Sequence, residues 1–333
     1  MSLRKSDISR IMRLFKEEKS FLIASHRDPE GDALGSSLAL ANYLLSKKKE
    51  VVIFNHDKVP TNLAFLKNSE LVTNDPGSGK FDLAIIVDCS EYSRISDGFE
   101  KLKDRFGTII NIDHHLTSKG LGSINLIDPM ASSASEIIYD LFRALGLKIN
   151  LDVAEAIYTA ILTDTGSFRY SNATPKAFKI ASELVNIGVD PWKVASEVYE
   201  NVPIPKLNLI SQVLSTLEIF ERERFASITL TEEMIKKTEA LPEFTDGLIN
   251  YPRSLRGIEV AIFFKELGPD HYKVGLRSKG SVDVSKIAAQ FGGGGHRNAS
   301  GCELRGSLMT VKAKVYERAK DAIFGKFGDN PGK

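Results

Sequence analysis

The 333-residue sequence predicts an α/β protein: a mainly parallel sheet with flanking helices in the N-terminal part, then a smaller C-terminal α/β domain, with a cleft between them. Three observations lead there. The first half alternates short, continuously apolar runs with helical patterns, as expected of strands buried on both faces of a parallel sheet. Polar, glycine-bounded segments follow directly after those runs, at the carboxyl ends where open α/β sheets bind ligands. Finally, 42% hydrophobic and 26% charged residues is an ordinary globular composition, enough for the cores of two domains.

The elements follow in order. The N-terminus to Ser20 reads as an amphipathic helix and lacks the apolar core of a signal peptide. FLIAS (21–25), VVIF (51–54), LAIIV (83–87) and TIINI (108–112) read as buried parallel strands. Between the first two, Asp32 to Lys48 has helical spacing and closes on Lys47, Lys48 and Lys49, which suit a helix C-terminus, giving a βαβ unit. Ser133 and Glu136 form a capping-box pattern that opens a helix through Leu145, with Gly146 as its stop. Asp152 to Thr163 is helical, and Thr174-Pro175 and Asp190-Pro191 each start another helix. N-V-P-I-P (201–205) precedes a helix expected to reach about Phe220. These boundaries give a first domain over 1–185, a helical connector over 186–220 and a second domain over 221–327.

In the last of these, FASITL is a strand, TEEMIKKTEA a helix, and EVAIFF and YKVGLRS paired strands. VDVSKIAAQF then leads as a helix into Gly292, Gly293, Gly294 and Gly295, followed by a strand near CELRG and a helix from about Leu308 to Phe324. No window approaches the roughly 18 apolar residues of a membrane span.

Charge narrows the function. With 44 Lys+Arg against 43 Asp+Glu, the net charge of +1 excludes gripping long duplex nucleic acid by bulk charge. The balance is uneven, because residues 1–240 carry 29 basic and 33 acidic side chains and 241–333 carry 15 and 10. An acidic part suits cations and a basic part suits anions. Cys89 and Cys302 are too few for a disulfide framework and form no C-x-x-C pair, so a reducing cytoplasm is expected.

Four of the six histidines lie in polar clusters. S-H-R-D-P-E-G-D offers His26, Glu30 and Asp32 where a strand gives way to a helix, and Pro29 and Gly31 turn the chain so that the three converge. The plainer alternative is that Asp32 or Asp28 caps the helix. Asp88 ends a buried strand, with Cys89 pointing the other way into the core; a turn residue is the alternative. Asp113-His114-His115 follows another strand: one imidazole can bind metal while the other faces a substrate anion, with Asp113 orienting a ring. Asp164 ends an apolar helix against the helix dipole, which suggests a compensating cation. His26, Glu30, Asp32, Asp88, His114 and Asp164 are more ligands than one ion needs. Oxygen and imidazole donors without thiolate favour two Mn(II) ions, with Mg, Co or Fe as further candidates. Such a pair, roughly 3.5 to 4 Å apart, activates a bridging water and polarises a phosphoryl oxygen, so hydrolysis of a phosphate ester or anhydride is expected.

The second domain supplies an anion site. The glycine run before His296 offers backbone N–H groups of the kind that bind phosphate, with a flexible hinge as the alternative, and Arg277 with Ser278 offers a charge-assisted contact. His56 and His271 read as surface loop residues, and Trp192 reads as packing.

With four metal motifs in order, then L-R-S and G-G-G-G-H-R-N-A-S-G, the chain resembles the DHH phosphoesterases over nearly its whole length. It is most similar to the stand-alone proteins that join a DHH domain to a DHH-associated C-terminal domain, as in the bacterial nanoRNase/pAp phosphatase group. The resemblance implies a dinuclear, usually manganese centre bridged by Asp88. His26, Glu30 and Asp88 would hold one ion, and Asp32, Asp88, His114 and Asp164 the other. It also implies that His115 faces the scissile phosphate, and that Arg277, Gly293, Gly294, Gly295 and His296 hold the substrate's nucleotide or terminal phosphate. Glu30 departs from the family's usual aspartate, and its extra methylene bears on the first ion's position and preference. The implied substrates are short oligonucleotides or dinucleotides, including pApA and cyclic di-AMP, with pAp 3′-phosphatase or pyrophosphatase-like activity as the alternative. A non-catalytic nucleotide sensor is the remote reading, and a homodimer is implied by the family alone.

Overall fold

The computed structural model describes residues 4–325 apart from 221, 223, 246 and 281. The expected domain limits at 1, 221 and 327 therefore lie outside the described residues. The chain divides into two compact units between Asn201 and Val202.

The first unit runs α1 (Lys5–Glu17), β1 (Ser20–Ala24), α2 (Gly31–Ser46), β2 (Glu50–Phe54), β3 (Val72–Thr73), β4 (Phe81–Val87) and α3 (Tyr92–Ile95). It continues through β5 (Phe106–Asp113), β6 (Ile124–Ile127), α4 (Ala134–Ala144), α5 (Leu151–Asp164), α6 (Pro175–Ile187) and α7 (Pro191–Tyr199). Its six strands are all parallel, in the order β3-β2-β1-β4-β5-β6. The order reverses between β1 and β4, and at such a switch point the carboxyl ends of two strands leave a crevice. Alternate residues divide between the faces: Phe21 and Ile23 join the core under α2, α4 and α5. Leu22 and Ala24 join a smaller core with Cys89, Tyr92 and Phe99.

Helix α2 is buried from Gly31 through Leu44, so its sequence is apolar all round rather than striped. It lies against α5 so closely that a Cβ on Gly35 would meet the Ala156 carbonyl oxygen at 2.5 Å. The expected caps at Ser133, Thr174 and Asp190 form, each accepting an N–H from the first turn of the helix it opens, and Asn150, not anticipated, does the same for α5. In the expected capping box, however, the Glu136 carboxylate accepts from the Ser132 N–H and hydroxyl, one residue earlier than the motif predicts.

The second unit runs α8 (Ile204–Leu214), β7 (Glu218–Phe220), β8 (Phe225–Leu230), α9 (Glu232–Thr238), α10 (Asn250–Ser254) and β9 (Val260–Gly268). β10 (His271–Ser278), α11 (Val284–Ala289), β11 (Gly294–His296), β12 (Ala299–Arg305) and α12 (Leu308–Ile323) complete it. Its sheet has the order β11-β12-β10-β9-β8-β7, with only β8 and β9 parallel.

Three expectations need correction. The helix expected to reach Phe220 stops at Leu214, because the Thr216 hydroxyl bonds to the Thr229 backbone and draws the chain into the β7–β8 hairpin. Within residues 186–220, α7 belongs to the first compact unit and α8 to the second. His271 is the first residue of a strand, 3.1 Å from the Glu303 carboxylate on β12. Trp192 is 73% exposed, since α7 buries Val194 and Val198 on its other face.

Candidate metal centre

β1 ends at Ala24, and the chain passes through His26 and a left-handed turn at Asp28 (φ 53°) before α2 begins. Glu30 occupies the N-cap position of α2 without capping it, so its carboxylate is not spent on the helix. Nor does Asp32 cap α2. Its carboxylate accepts the N–H groups of Ala134 (2.6 Å) and Ser135 (3.1 Å) at the start of α4, together with the Ser36 hydroxyl (3.0 Å). Burial, reinforced by the charge of Asp88, nevertheless pushes Asp32 up to about 7.

Asp88 follows β4 in the left-handed region (φ 51°), a conformation that aspartate and asparagine tolerate better than most residues. Its amide donates to the Ile112 carbonyl, which fixes the turn. One carboxylate oxygen lies 3.3 Å from His26 Nε2, and the other 3.5 Å from both His114 Nε2 and His115 Nδ1. That second oxygen is buried and has no hydrogen bond. Burial raises the carboxyl's pKa, but the imidazoles of His114 and His26 outweigh it and hold the group below the ordinary range.

At the end of β5, Asp113 Oδ1 accepts the backbone N–H groups of His114 (2.8 Å) and His115 (3.2 Å) and faces His115 Nδ1 at 2.7 Å. Asp113 thus orients the second imidazole. The first projects inward, its Nε2 lying 3.7 Å from Asp32 and 3.8 Å from Asp164. Burial would lower the pKa of His114, but Asp88, Asp32 and Asp164 together raise it to about 10. Asp164, at the C-terminus of α5, is pushed up to about 8 by burial and by Asp32. Burial and Asp88 likewise raise Glu30.

Six carboxylate and imidazole groups anticipated from sequence therefore come together. His26, Glu30 and Asp88 form one set whose donor atoms lie within 4.8 Å of one another, and Asp32, His114 and Asp164 form another. A third set joins Asp88 to His114 and His115. Burial and mutual repulsion make these carboxylates hard to ionise, a cost that a bound cation would relieve. The orphaned Asp88 oxygen at the centre of the site fits such a cation.

Sequence reasoning missed Asn172. Its amide nitrogen donates to Asp164 Oδ2 (3.2 Å) and to the Ser132 carbonyl (3.0 Å), holding the carboxylate in place from beyond the turn at Ser167 and Phe168. Its polar setting, S-N-A-T before a proline, signals only a helix start.

The second unit presents its own polar residues. Arg277 is the penultimate residue of β10, half-buried, and Arg253 nearby adds to the burial that lowers its pKa. The Ser278 hydroxyl accepts from the Asn298 side chain at 3.0 Å. The expectation of an open run of glycine amides needs correction, because Gly292 and Gly293 donate to the Ala289 and Ala288 carbonyls and Gly294 to His296 form a strand. Glycine is required there by close approach: a Cβ on Gly293 would lie 2.2 Å from the Gly301 carbonyl oxygen. His296 is exposed.

Comparison with known proteins gives the family. Residues 20–161 match the DHH family N-terminal domain, and residues 232–325 match the DHHA1 domain. The chain is 32% identical to the bifunctional oligoribonuclease and PAP phosphatase NrnA of Thermus thermophilus, over 94% of this chain and 93% of that one. The probable NrnA of Streptococcus mutans is 33% identical, with 94% and 98% covered. Among solved structures, an exopolyphosphatase-related protein from Bacteroides fragilis superposes with a TM-score of 0.88 at 30% identity, over 96% of this chain and 97% of that one. By sequence, fold and the residues gathered at its strand ends, the chain belongs to the DHH family of phosphoesterases, with a DHHA1 domain following the DHH domain.

Proposed function

We propose that the protein is a manganese-dependent phosphodiesterase that hydrolyses short oligonucleotides or dinucleotides such as pApA to mononucleotides. The observation that carries this is the Asp88 carboxylate, one oxygen facing His26 and the other, buried and unpaired, facing His114 and His115, flanked by two ligand sets. His26, Glu30 and Asp88 would hold one ion, and Asp32, Asp88, His114 and Asp164 the other. When bound, two such ions supply an activated water nucleophile and Lewis-acid polarisation of the phosphoryl group. Manganese suits a set of carboxylates and imidazoles without thiolate. Cys89 is no ligand: its thiol packs in the core, and burial raises it to about 11.

His115, held through Nδ1 by Asp113, is left with its other ring nitrogen to donate to the scissile phosphate or to protonate the departing 3′ oxygen. Arg277, Ser278, Gly294, Gly295 and His296 are assigned to the substrate's terminal phosphate; Gly293, whose amide donates to the Ala288 carbonyl, is not. The relatives' names pair oligoribonuclease with PAP phosphatase, so removal of the 3′ phosphate from pAp is a second reading of the same site. Cyclic di-AMP belongs to the same substrate class. Two free, buried thiols fit work in a reducing cytoplasm, and among the described residues no helix is long and apolar enough to cross a membrane.

The test is a manganese-supplemented panel of pApA, short RNAs, cyclic di-AMP, pAp and pyrophosphate, run with wild type and Asp88→Asn. Asparagine keeps the side-chain shape and tolerates the left-handed backbone. AMP released from pApA by the wild type, and nothing detectable from the variant, is the expected result. Full activity in Asp88→Asn would overturn the assignment, and phosphate release from pAp without dinucleotide cleavage would favour the second reading.

A further inference from the structure

Beside His26 and Glu30 the first unit has a pocket of about 390 Å³ whose remaining lining is Arg27, Asp28, Ser93 and Arg94. Arg94 lies on α3, where the buried Tyr92 and Ile95 hold the helix down and leave positions 93 and 94 outward. Among the described residues its guanidinium has no hydrogen-bond or ion-pair partner. Its backbone, by contrast, is fastened. The Arg27 amide donates to the Arg94 carbonyl at 2.7 Å, and Arg27 Nη2 donates to the Ser93 carbonyl and to Asp97, each at 2.8 Å. The Arg27 Nε is buried without a partner.

Two guanidiniums, Arg27 and Arg94, and two carboxylates, Asp28 and Glu30, line this pocket. Arg27 is answered by Asp97, and Glu30 and His26 turn to Asp88 in the proposed ion site. Arg94 remains as an uncommitted cationic fork on a fixed wall, geometry suited to two phosphate oxygens. The pocket touches one ligand set but none of Asp32, His114 or Asp164, so an anion there sits beside the reacting position, not at it.

We propose that Arg94 and Ser93 form a subsite for the phosphate that follows the scissile linkage, which makes Arg94 a determinant of oligonucleotide length. This rests on the proposed phosphodiesterase reading, in which the terminal 5′ phosphate is assigned to Arg277 and His296. A dinucleotide such as pApA has no phosphate after the scissile one, whereas pApApA has.

The experiment compares the first cleavage of pApApA with that of pApA by wild type, Arg94→Ala and Arg94→Lys. In Arg94→Ala, the trinucleotide-to-dinucleotide ratio of kcat/KM falls about tenfold or more, as loss of a charge-assisted contact predicts. Arg94→Lys, which keeps the charge but not the fork, falls between. An unchanged ratio overturns the subsite, whether or not overall activity drops. Calorimetric binding of the same two oligonucleotides gives a separate readout. If the wild type cleaves neither, the phosphodiesterase reading fails, and the subsite stands or falls on whether Arg94→Ala selectively weakens trinucleotide binding.

Discussion

Loading the metal centre should expel protons, and the structure sets how many. Without a cation, His114 is held protonated up to about pH 10, Asp164 is protonated up to about 8, and Asp32 is half-protonated near 7. Each must present a lone pair to an ion. At pH 7, His114 would give up roughly one proton, Asp164 most of one and Asp32 about half, so at least about two leave, to which His26 and Glu30, both raised, can only add. Asp88, held below the ordinary carboxylate range, contributes none. The sign follows: groups with raised pKa values hold protons that compete with the ion, so apparent affinity weakens as pH falls through 10, 8 and 7. The assay is calorimetric titration of the metal-free protein with Mn²⁺ at pH 7 in buffers of differing ionisation enthalpy. The slope of observed against buffer enthalpy counts the protons, and His114→Gln should lower it by about one. A wild-type slope below half a proton would refute the reasoning, because the three groups would then already be deprotonated.

Two further outcomes follow from packing. Asn172→Ala removes the amide that steadies Asp164, and should weaken Mn²⁺ binding about 10- to 100-fold while leaving the thermal midpoint of the metal-free protein within about 2 °C. Equal affinity in the variant would show that Asp164 keeps its place unaided. Gly35→Ala pushes a methyl to within 2.5 Å of the Ala156 carbonyl oxygen, which only a shift of one helix relieves. It should cost about 2 kcal/mol, read as a lower urea midpoint with unchanged slope; no loss would mean the contact is slack.

Much of this was legible in the sequence, for identifiable reasons. β1, β2, β4 and β5 are continuously apolar because both faces of the sheet are covered, and His26, Asp88 and His114 stand out because each follows such a run. β6 escapes notice because I-N-L-I is only four residues long and β3 because it is two. The amides that steady Asp32 come from residues 134 and 135, a tertiary link with no local pattern. Arg94 is one of 44 basic residues and becomes distinct only when the loop carrying His26 and Glu30 lies beside it. The glycine run was visible, but its cause is partly steric, since β11 must approach β12 closely.

The seam between α2 and α5 has a bearing on ion choice. Gly31 lies against Thr163, one residue from each of the carboxylates Asp32 and Asp164, and Gly35 fits over Ala156 and Ala160 a turn further on. Backbone-to-backbone contact is stiff, whereas long side chains accommodate. The span between those two carboxylates is accordingly gauged by how deeply one helix nests in the other, and a methyl group added or removed along the seam would retune the ionic radius the site accepts without touching a ligand.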